Sequence, residues 1–367
     1  MPDVAPARKV RVCLIGPSLD IVGGQSVQLQ RLLVGLGESD HLEVSFLPVN
    51  PRLPGALRVL QRVKYVRTIV TSIAYGASLV RAARTNDVLH AFSASYWSYI
   101  LAPLPAMLIG RLWGRATVLN YHSGEADDHL STWKRTAVPT MRRFATRIVV
   151  PSGYLVHVFG SFGLSAEAIS NSVPIEMLPY RRRKRLLPRF LSNRNLEPLY
   201  NVACTVRAFA LVQRKFPDAS LVIAGDGRER VALELLVSEL QLSNVTFMGR
   251  VPPNGMGAHY EQADIYFNSP NIDNMPLSIL EAFACGLPVV SSNAGGIPFL
   301  VTSGTNGVLV ERNDHEAMAA AALHLLDEPA VALSLADAAR AECESKYTWP
   351  HVQRAWESLY LSLAPAC

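Results

Sequence analysis

Cysteine is scarce and scattered. The five residues, Cys13, Cys204, Cys285, Cys343 and Cys367, form no CxxC pair and no cluster with metal-ligand spacing. A disulfide framework and a zinc module are therefore not expected, and a reduced cytoplasmic setting is. Long apolar runs are also missing. The most apolar window, residues 100–110, contains Pro103 and Pro105 and is too short to span a bilayer. The opening residues, MPDVAPARKVRVCLIG, hold no apolar signal core and run straight into a strand pattern, which again suggests a cytoplasmic protein. The chain has no internal repeat, no low-complexity tract and no GxGxxG. The glycines of AGDGRER, residues 224–230, lack the dinucleotide-binding spacing. One dense basic run, RRRKR at 181–185, has no accompanying aromatic platform or recognition motif, so nucleic acid is not an expected partner.

What is present describes a large globular chain. Hydrophobic residues make up 49% of 367 positions, enough for two ordinary domains, each with its own core. Strand-like and helix-like segments alternate over residues 1–173, at 10–15, 27–36, 42–49, 88–91, 117–121 and 147–150. They alternate again further on, at 221–224, 231–240, 245–248, 265–268, 289–291 and 307–310. Such alternation implies parallel sheets covered on both faces. Two doubly wound α/β domains are expected, residues 1–173 and 174–350, followed by a terminal helical segment, 351–367. Their ligands should sit at the carboxyl ends of the strands. The proline- and charge-rich stretch PYRRRKRLLPRF, residues 179–190, has the composition of an exposed connector. The net charge of +5 comes from the first 180 residues; the remainder is slightly acidic. Within the basic half, Arg58, Arg62, Lys64 and Arg67 interleave with Leu57, Leu60, Val63, Val66, Ile69 and Val70. That pattern suits a peripheral contact with an anionic membrane, and equally a packed helix with a basic outer face.

The most informative stretch is DNMPLSILEAFACGLPVVSS, residues 273–292. Asn274 and Pro276 mark a loop, residues 277–284 have helical spacing, Gly286 and Pro288 stop the helix, and Val289 and Val290 start a buried strand. Two carboxylates, Asp273 and Glu281, bracket the start of the helix. Unpaired backbone N–H groups there carry partial positive charge and would hold an anion or sugar hydroxyls. Taken alone, the segment also suits an ordinary loop–helix–strand unit with solvated carboxylates.

The segment resembles the signature of the retaining glycosyltransferases of family 4, the glycosyl transferases group 1, which have the GT-B fold. That signature has a carboxylate, seven residues, a glutamate, and then a helix ending in Gly-x-Pro-Val-Val; here Asp273 takes the first place and Glu281 the second. Other landmarks fall in the same order. Gly23 and Gly24 match the family's Gly-Gly loop over the donor pyrophosphate. His122, in VLNYHSGEADDHL, matches a histidine that contacts the transferred sugar. Gly249, Arg250 and Val251 match the segment contacting the nucleotide base, and GGIPFLVTSGTNGVLVERND at 295–314 follows the family's pattern. The resemblance implies two Rossmann-like domains facing a cleft, with acceptor on the first and nucleotide-diphosphate sugar on the second. It places Asp273, Glu281, His122 and Arg194 in the catalytic machinery. Asn274, Met275, Pro276 and Leu277 would contact sugar and phosphate, and Gly24 and Arg194 the pyrophosphate. It implies no metal and no cofactor besides the donor itself, and a glycan or lipid-linked acceptor in cell-surface polysaccharide or glycoconjugate synthesis. Glu125, Asp127, Asp128 and His129 stand where acceptor hydroxyls or a metal could be bound, or where side chains are simply solvated.

The sequence departs from the family at the phosphate site. Where a lysine usually follows the arginine, Tyr200 stands, and Asn201 replaces the usual glycine. Arg194 then carries the leaving diphosphate alone, or with a helix N-terminus or another base such as Arg228. Restoring lysine at position 200 is expected to raise activity. A nucleotide-sugar epimerase of the same fold and a non-catalytic glycan-binding relative remain as alternatives.

Overall fold

The computed structural model describes residues 8–19, 24–51, 55, 63–93 and 95–364. The chain divides into two compact units. Unit one comprises residues up to Ser172 together with Trp349–Cys367, and unit two is Val173–Thr348.

Unit one runs β1 (Val10–Gly16), α1 (Gly24–Gly37), β2 (Leu42–Pro48), α2 (Lys64–Thr85), β3 (Val88–Ser93), α3 (Trp97–Leu101), α4 (Pro103–Leu112), β4 (Ala116–Tyr121), α5 (Ala126–Thr132), α6 (Ala137–Phe144), β5 (Arg147–Val150), α7 (Gly153–Ser161) and β6 (Glu167–Ala168). All its strand pairs are parallel, in the order β2-β1-β3-β4-β5-β6. The central strand β3, VLHAFS, is buried at every position, as a strand with helices on both faces must be.

Unit two continues with β7 (Arg189–Ser192), α8 (Val202–Lys215), β8 (Ser220–Ala224), α9 (Arg230–Glu239), β9 (Val245–Gly249), α10 (Met256–Gln262), β10 (Ile265–Asn268), α11 (Leu277–Ala284), β11 (Val289–Ser292), β12 (Val308–Val310), α12 (His315–Asp327) and α13 (Pro329–Lys346). Its parallel sheet has the order β12-β11-β10-β7-β8-β9. In both sheets the strand order reverses once, between β1 and β3 and between β7 and β10. Loops leaving the carboxyl ends of those strands diverge there and open a crevice, the usual ligand position of doubly wound sheets.

The last helix, α14 (Trp349–Ser362), belongs to unit one. Val352, Trp356, Leu359 and Tyr360 join the core formed by β1, β3 and α1. Gly35 on α1 leaves room for the Trp349 ring, where any Cβ would collide. The Tyr360 hydroxyl lies 2.6 Å from His90 Nδ1, and the Trp356 ring stacks on His90 at 4.7 Å.

Burial pushes the His90 pKa down to about 3 and that of His122 to about 4. Both are neutral in the fold, while the unfolded chain protonates them near pH 6.5. Stability contributed by the neutral forms is present above pH 6.5. It is lost as pH falls towards 4, at up to about 1.4 kcal/mol per pH unit for each histidine. Thermal melting followed between pH 7 and pH 4.5 should show this decline, and His90→Gln should flatten it.

The arginine-rich stretch corrects its expectation in part. Tyr180, Arg182, Lys184, Arg185 and Leu187 are exposed as expected of a connector, but Arg181, Arg183 and Arg189 turn inward as a buttress. The Arg183 side chain is fully buried and donates to the carbonyls of Tyr260, Ala263, Cys285 and Gly286. Arg181 and Arg189 both pair with the buried Asp264 carboxylate. Charge density signals solvent only when no buried acceptors wait for it, and here the ends of α10 and α11 supply them. Of the basic stretch at 57–70, residues 57–62 lie outside the described residues, including Leu57, Arg58, Leu60 and Arg62. From Lys64 on it is helix α2, in which Arg67 and Ile69 are exposed and Val66 and Val70 half-buried.

Candidate functional site

The site in unit two grows from the two loops at its switch point. β7 ends at Ser192, and the next residues carry Asn193 and Arg194. β10 ends at Asn268, and its loop carries Asp273 to Pro276 into α11. Because β7 and β10 are neighbours, Arg194 and Asp273 meet although 79 positions separate them. Arg194 donates through Nη2 to Asp273 Oδ2 and through Nη1 to the Ser278 hydroxyl at 3.1 Å. The other Asp273 oxygen accepts the Asn274 N–H at 2.7 Å. Both charged groups are largely buried, with side chains 10% and 15% exposed. Burial penalises the Arg194 cation, but the Asp273 carboxylate together with the Tyr200 and Tyr266 phenols outweighs it, and the Arg194 pKa is raised.

Glycines make this close approach possible. A Cβ on Gly225 or Gly227 would collide with the backbone of Arg194 or Leu196, and one on Gly295 or Gly296 with the backbone of Asp273 or Asn274. The Gly296 N–H donates to the Asp273 carbonyl at 2.8 Å. The Gly-Gly pair at 295–296 is thus a bed for the carboxylate loop rather than a plain turn, and Gly225 adopts a φ of +152° that few side chains permit.

Glu281 lies on α11, half-buried, and its Oε2 accepts from the Tyr260 hydroxyl at 2.8 Å. The Asn193 amide donates to the same hydroxyl at 2.8 Å, so one tyrosine ties Glu281 to the β7 loop. The phenol of Tyr260 is held well above its ordinary pKa, first by burial and then by the neighbouring carboxylate. It therefore stays a donor. Asn274, Met275 and Pro276 are buried, Leu277 is half-buried, and Pro276 caps α11 without a side-chain bond to its first N–H groups. Gly249 ends β9 with φ +67° and accepts from the Gly225 N–H at 2.8 Å. Arg250 is exposed and Val251 half-buried.

Tyr260 carries no sequence signal at this site. Tyr200, which the sequence marks only as a missing lysine, has its ring under the Arg194 guanidinium, 4.1 Å from its centroid. The position that usually supplies a lysine here supplies a face that orients the arginine. Asn201 takes the left-handed conformation, φ 45°, ψ 47°, that glycine normally fills and asparagine tolerates. This geometry changes the expectation for position 200. Tyr200→Phe should retain turnover within about twofold. Tyr200→Ala should lower it severalfold, since a partly desolvated cation–π contact contributes roughly 1–2 kcal/mol. Tyr200→Lys should also lower it, through repulsion of Arg194. A gain in initial rate for Tyr200→Lys over the parent enzyme would contradict this.

In unit one, Gly23 lies outside the described residues and Gly24 opens α1. His122 follows β4 and stacks on Phe92 at 5.4 Å. Its Nε2 is buried and has no hydrogen-bond partner among the described residues. Glu125, Asp127 and Asp128 are exposed, whereas His129 is buried with Nδ1 2.9 Å from the Tyr121 hydroxyl, so the four do not converge. Among the described residues no three His, Cys, Asp or Glu side chains gather as metal ligands.

Residues 183–342 match the family described as glycosyl transferases group 1. Curated relatives agree. A GDP-mannose-dependent monoacylated alpha-(1-6)-phosphatidylinositol monomannoside mannosyltransferase of Corynebacterium glutamicum is 31% identical over 169 residues, which is 44% of each chain. A GDP-mannose-dependent alpha-(1-6)-phosphatidylinositol monomannoside mannosyltransferase of Mycolicibacterium smegmatis is 28% identical over 69% of this chain and 72% of its own. Among solved structures, Anabaena HepE in complex with UDP superposes with a TM-score of 0.77 at 18% identity, covering 96% of this chain and all of that one. Sucrose-phosphate synthase from Thermosynechococcus elongatus superposes with a TM-score of 0.76 at 18% identity, covering 97% and 99%. Residues 183–342, which hold the β7/β10 site, are thus similar to the group 1 glycosyltransferases, and the two parallel sheets have the GT-B fold.

Proposed function

We propose that the protein transfers a sugar, with retention of anomeric configuration, from a nucleotide-diphosphate sugar to a glycan or lipid-linked acceptor. The observation that carries this reading is the Arg194–Asp273–Ser278 cluster beside Glu281 at the β7/β10 switch point. It combines a fixed cation, an uncapped helix start and two carboxylates in one crevice. Arg194 and the first N–H groups of α11 would receive the diphosphate, Glu281 the ribose hydroxyls and Asp273 the sugar. His122 and Gly24 of unit one would complete the donor contacts. In the front-face route, the bond from the anomeric carbon to the phosphate oxygen breaks, the acceptor oxygen bonds to that carbon, and the acceptor proton passes to the leaving diphosphate. No separate base is needed. Stabilising the diphosphate charge as it develops is then the main catalytic task. No cofactor other than the donor takes part in this scheme.

The two similar mannosyltransferases named above are GDP-mannose-dependent and act on phosphatidylinositol monomannosides, which supports a membrane-bound acceptor here. Among the described residues no single helix is long and apolar enough to cross a membrane. We place the membrane contact on the basic, apolar-striped stretch 57–70 of unit one. Each basic residue near an anionic surface contributes about 1 kcal/mol, and salt screens it. The protein should cosediment with phosphatidylglycerol vesicles at low salt and release at high salt. Changing Arg58, Arg62, Lys64 and Arg67 to Glu should abolish this, and unchanged cosedimentation would remove the stretch from consideration.

The transferase reading is tested by a thermal-shift panel of nucleotide sugars, followed by product analysis with and without added glycan. A stabilising donor consumed only when acceptor is present supports transfer. Conversion of the donor to an epimer without acceptor supports the epimerase alternative instead.

A further inference from the structure

Unit one carries an open aromatic surface built from the segments that follow the carboxyl ends of β3 and β4. It starts from a strained residue. Tyr96 follows β3 with φ 57° and ψ −126°, a conformation tyrosine rarely adopts. Its hydroxyl donates to Asp128 Oδ2, which holds the loop in place. Trp97 comes next, at the start of α3, with 68% of its surface exposed. Its ring meets Trp133 edge to face, with centroids 5.4 Å apart and planes at 89°.

Trp133 is fixed from behind. It lies against Tyr96 at 6.1 Å and against the buried His129 at 5.8 Å. His129 in turn contacts the Tyr121 hydroxyl at 2.9 Å, and that hydroxyl lies 2.8 Å from the Ser95 hydroxyl. A buried polar chain thus fixes one side of the pair, while the other side opens on a cavity of about 700 Å³. The cavity is lined by the two tryptophans and by Ser131, Thr132, Lys134 and Arg135. Lys134 and Arg135 are exposed and have no ion-pair partner among the described residues.

We propose that Trp97 and Trp133 form a stacking platform for the acceptor, and that this acceptor is a sugar bearing an acidic group. The proposal rests on the transferase reading above and names the substrate class of its acceptor side. A pyranose presents an apolar face of C–H groups that packs on an aromatic ring, and equatorial hydroxyls that reach polar neighbours such as Ser131 and Thr132. Rigid indole rings already held in place lose little freedom on binding. Two unpaired cations beside such a platform select a phosphate or carboxylate on the same sugar. A neutral glycan would leave both cations unused.

The test uses the full chain and four probes: glucose 6-phosphate, glucuronate, glucose and inorganic phosphate. Each is titrated while tryptophan fluorescence is followed, on the parent, on Trp97→Ala and on the double variant Lys134→Glu, Arg135→Glu. Trp97 is exposed, so its loss should leave melting unchanged. The two acidic sugars should bind saturably to the parent and separate a phosphate from a carboxylate preference. Trp97→Ala should weaken both at least tenfold. The double variant should reduce both to the affinity of glucose. The proposal is overturned if Trp97→Ala binds the sugars like the parent, if no sugar binds, or if inorganic phosphate binds as tightly as glucose 6-phosphate. Trp97→Ala losing phosphatidylglycerol vesicles but not sugars would also overturn it, marking a membrane contact instead. Calorimetric donor titration of the same samples keeps the two readings separate. Intact donor binding with no sugar binding defeats the platform alone, and sugar binding without donor binding defeats the transferase reading alone.

Discussion

Replacing Arg194 with alanine is expected to lower turnover at least tenfold and, if the diphosphate relies on it alone, by several hundredfold. Arg194 is a largely buried cation held inside the β7/β10 crevice. It is placed there by Asp273, Ser278 and the Tyr200 ring. One preorganised donor lost from a developing anion commonly costs about 2.7–4 kcal/mol of barrier in a water-poor site. The other basic side chain considered for this role, Arg228, is exposed and pairs with Glu197 at 2.9 Å, so it is poorly placed to compensate. The same substitution leaves Asp273 largely buried without its cation, which destabilises the fold. Turnover is therefore read on protein shown to be folded at the assay temperature, and Arg194→Lys serves as the companion. Lysine keeps the charge but cannot span Asp273 and Ser278 together, so it should restore only part of the rate. Full activity in Arg194→Ala would show that another group carries the diphosphate.

Glu281→Gln is expected to weaken nucleotide affinity by roughly 1–3 kcal/mol, about five- to 150-fold, through the loss of a charge-assisted hydrogen bond. The substitution is nearly isosteric, and the glutamine carbonyl can still accept from Tyr260, so folding should survive. Its effect should appear with the nucleotide alone as well as with the nucleotide sugar, because the contact proposed for Glu281 is to ribose. Asp273→Asn should differ in kind. Its contact is to the transferred sugar, so affinity for the bare nucleoside diphosphate should change little while turnover falls. Equal losses for the two variants with both ligands would contradict the division of roles.

Much of this site was legible in the sequence because it is local. The loop, helix and strand read from residues 273–292 are those formed by the β10 loop, α11 (Leu277–Ala284) and β11 (Val289–Ser292). Prolines, glycine and apolar spacing mark each boundary within a few residues. Most strands of both units were legible for the same reason; β7 (Arg189–Ser192), which begins inside the stretch read as a connector, and the two-residue β6 were not. What was not legible depends on partners far along the chain. Tyr200 reads as a missing lysine until Arg194 is seen lying over it, and Tyr260 sits in MGAHYEQ without a signature. Its contacts with Asn193 and Glu281 exist because β7 and β10 are neighbours, which only the strand order decides. Arg183 follows a related logic: six carbonyl acceptors from α10, α11 and its own strand approach await it, and none is visible from the composition of RRRKR. Gly295 and Gly296 read as turn residues, while their reason is the backbone of Asp273 and Asn274 against them.

The crevice between the β7 and β10 loops is proposed above as a diphosphate site. This proposal is tested most directly by calorimetric titration of the parent protein with UDP, GDP and the corresponding monophosphates. With Arg194 and the start of α11 proposed to receive the second phosphate, at least one diphosphate should bind one-to-one, at least tenfold tighter than its monophosphate. Equal affinity for the two, or no binding of either diphosphate, would contradict the proposal.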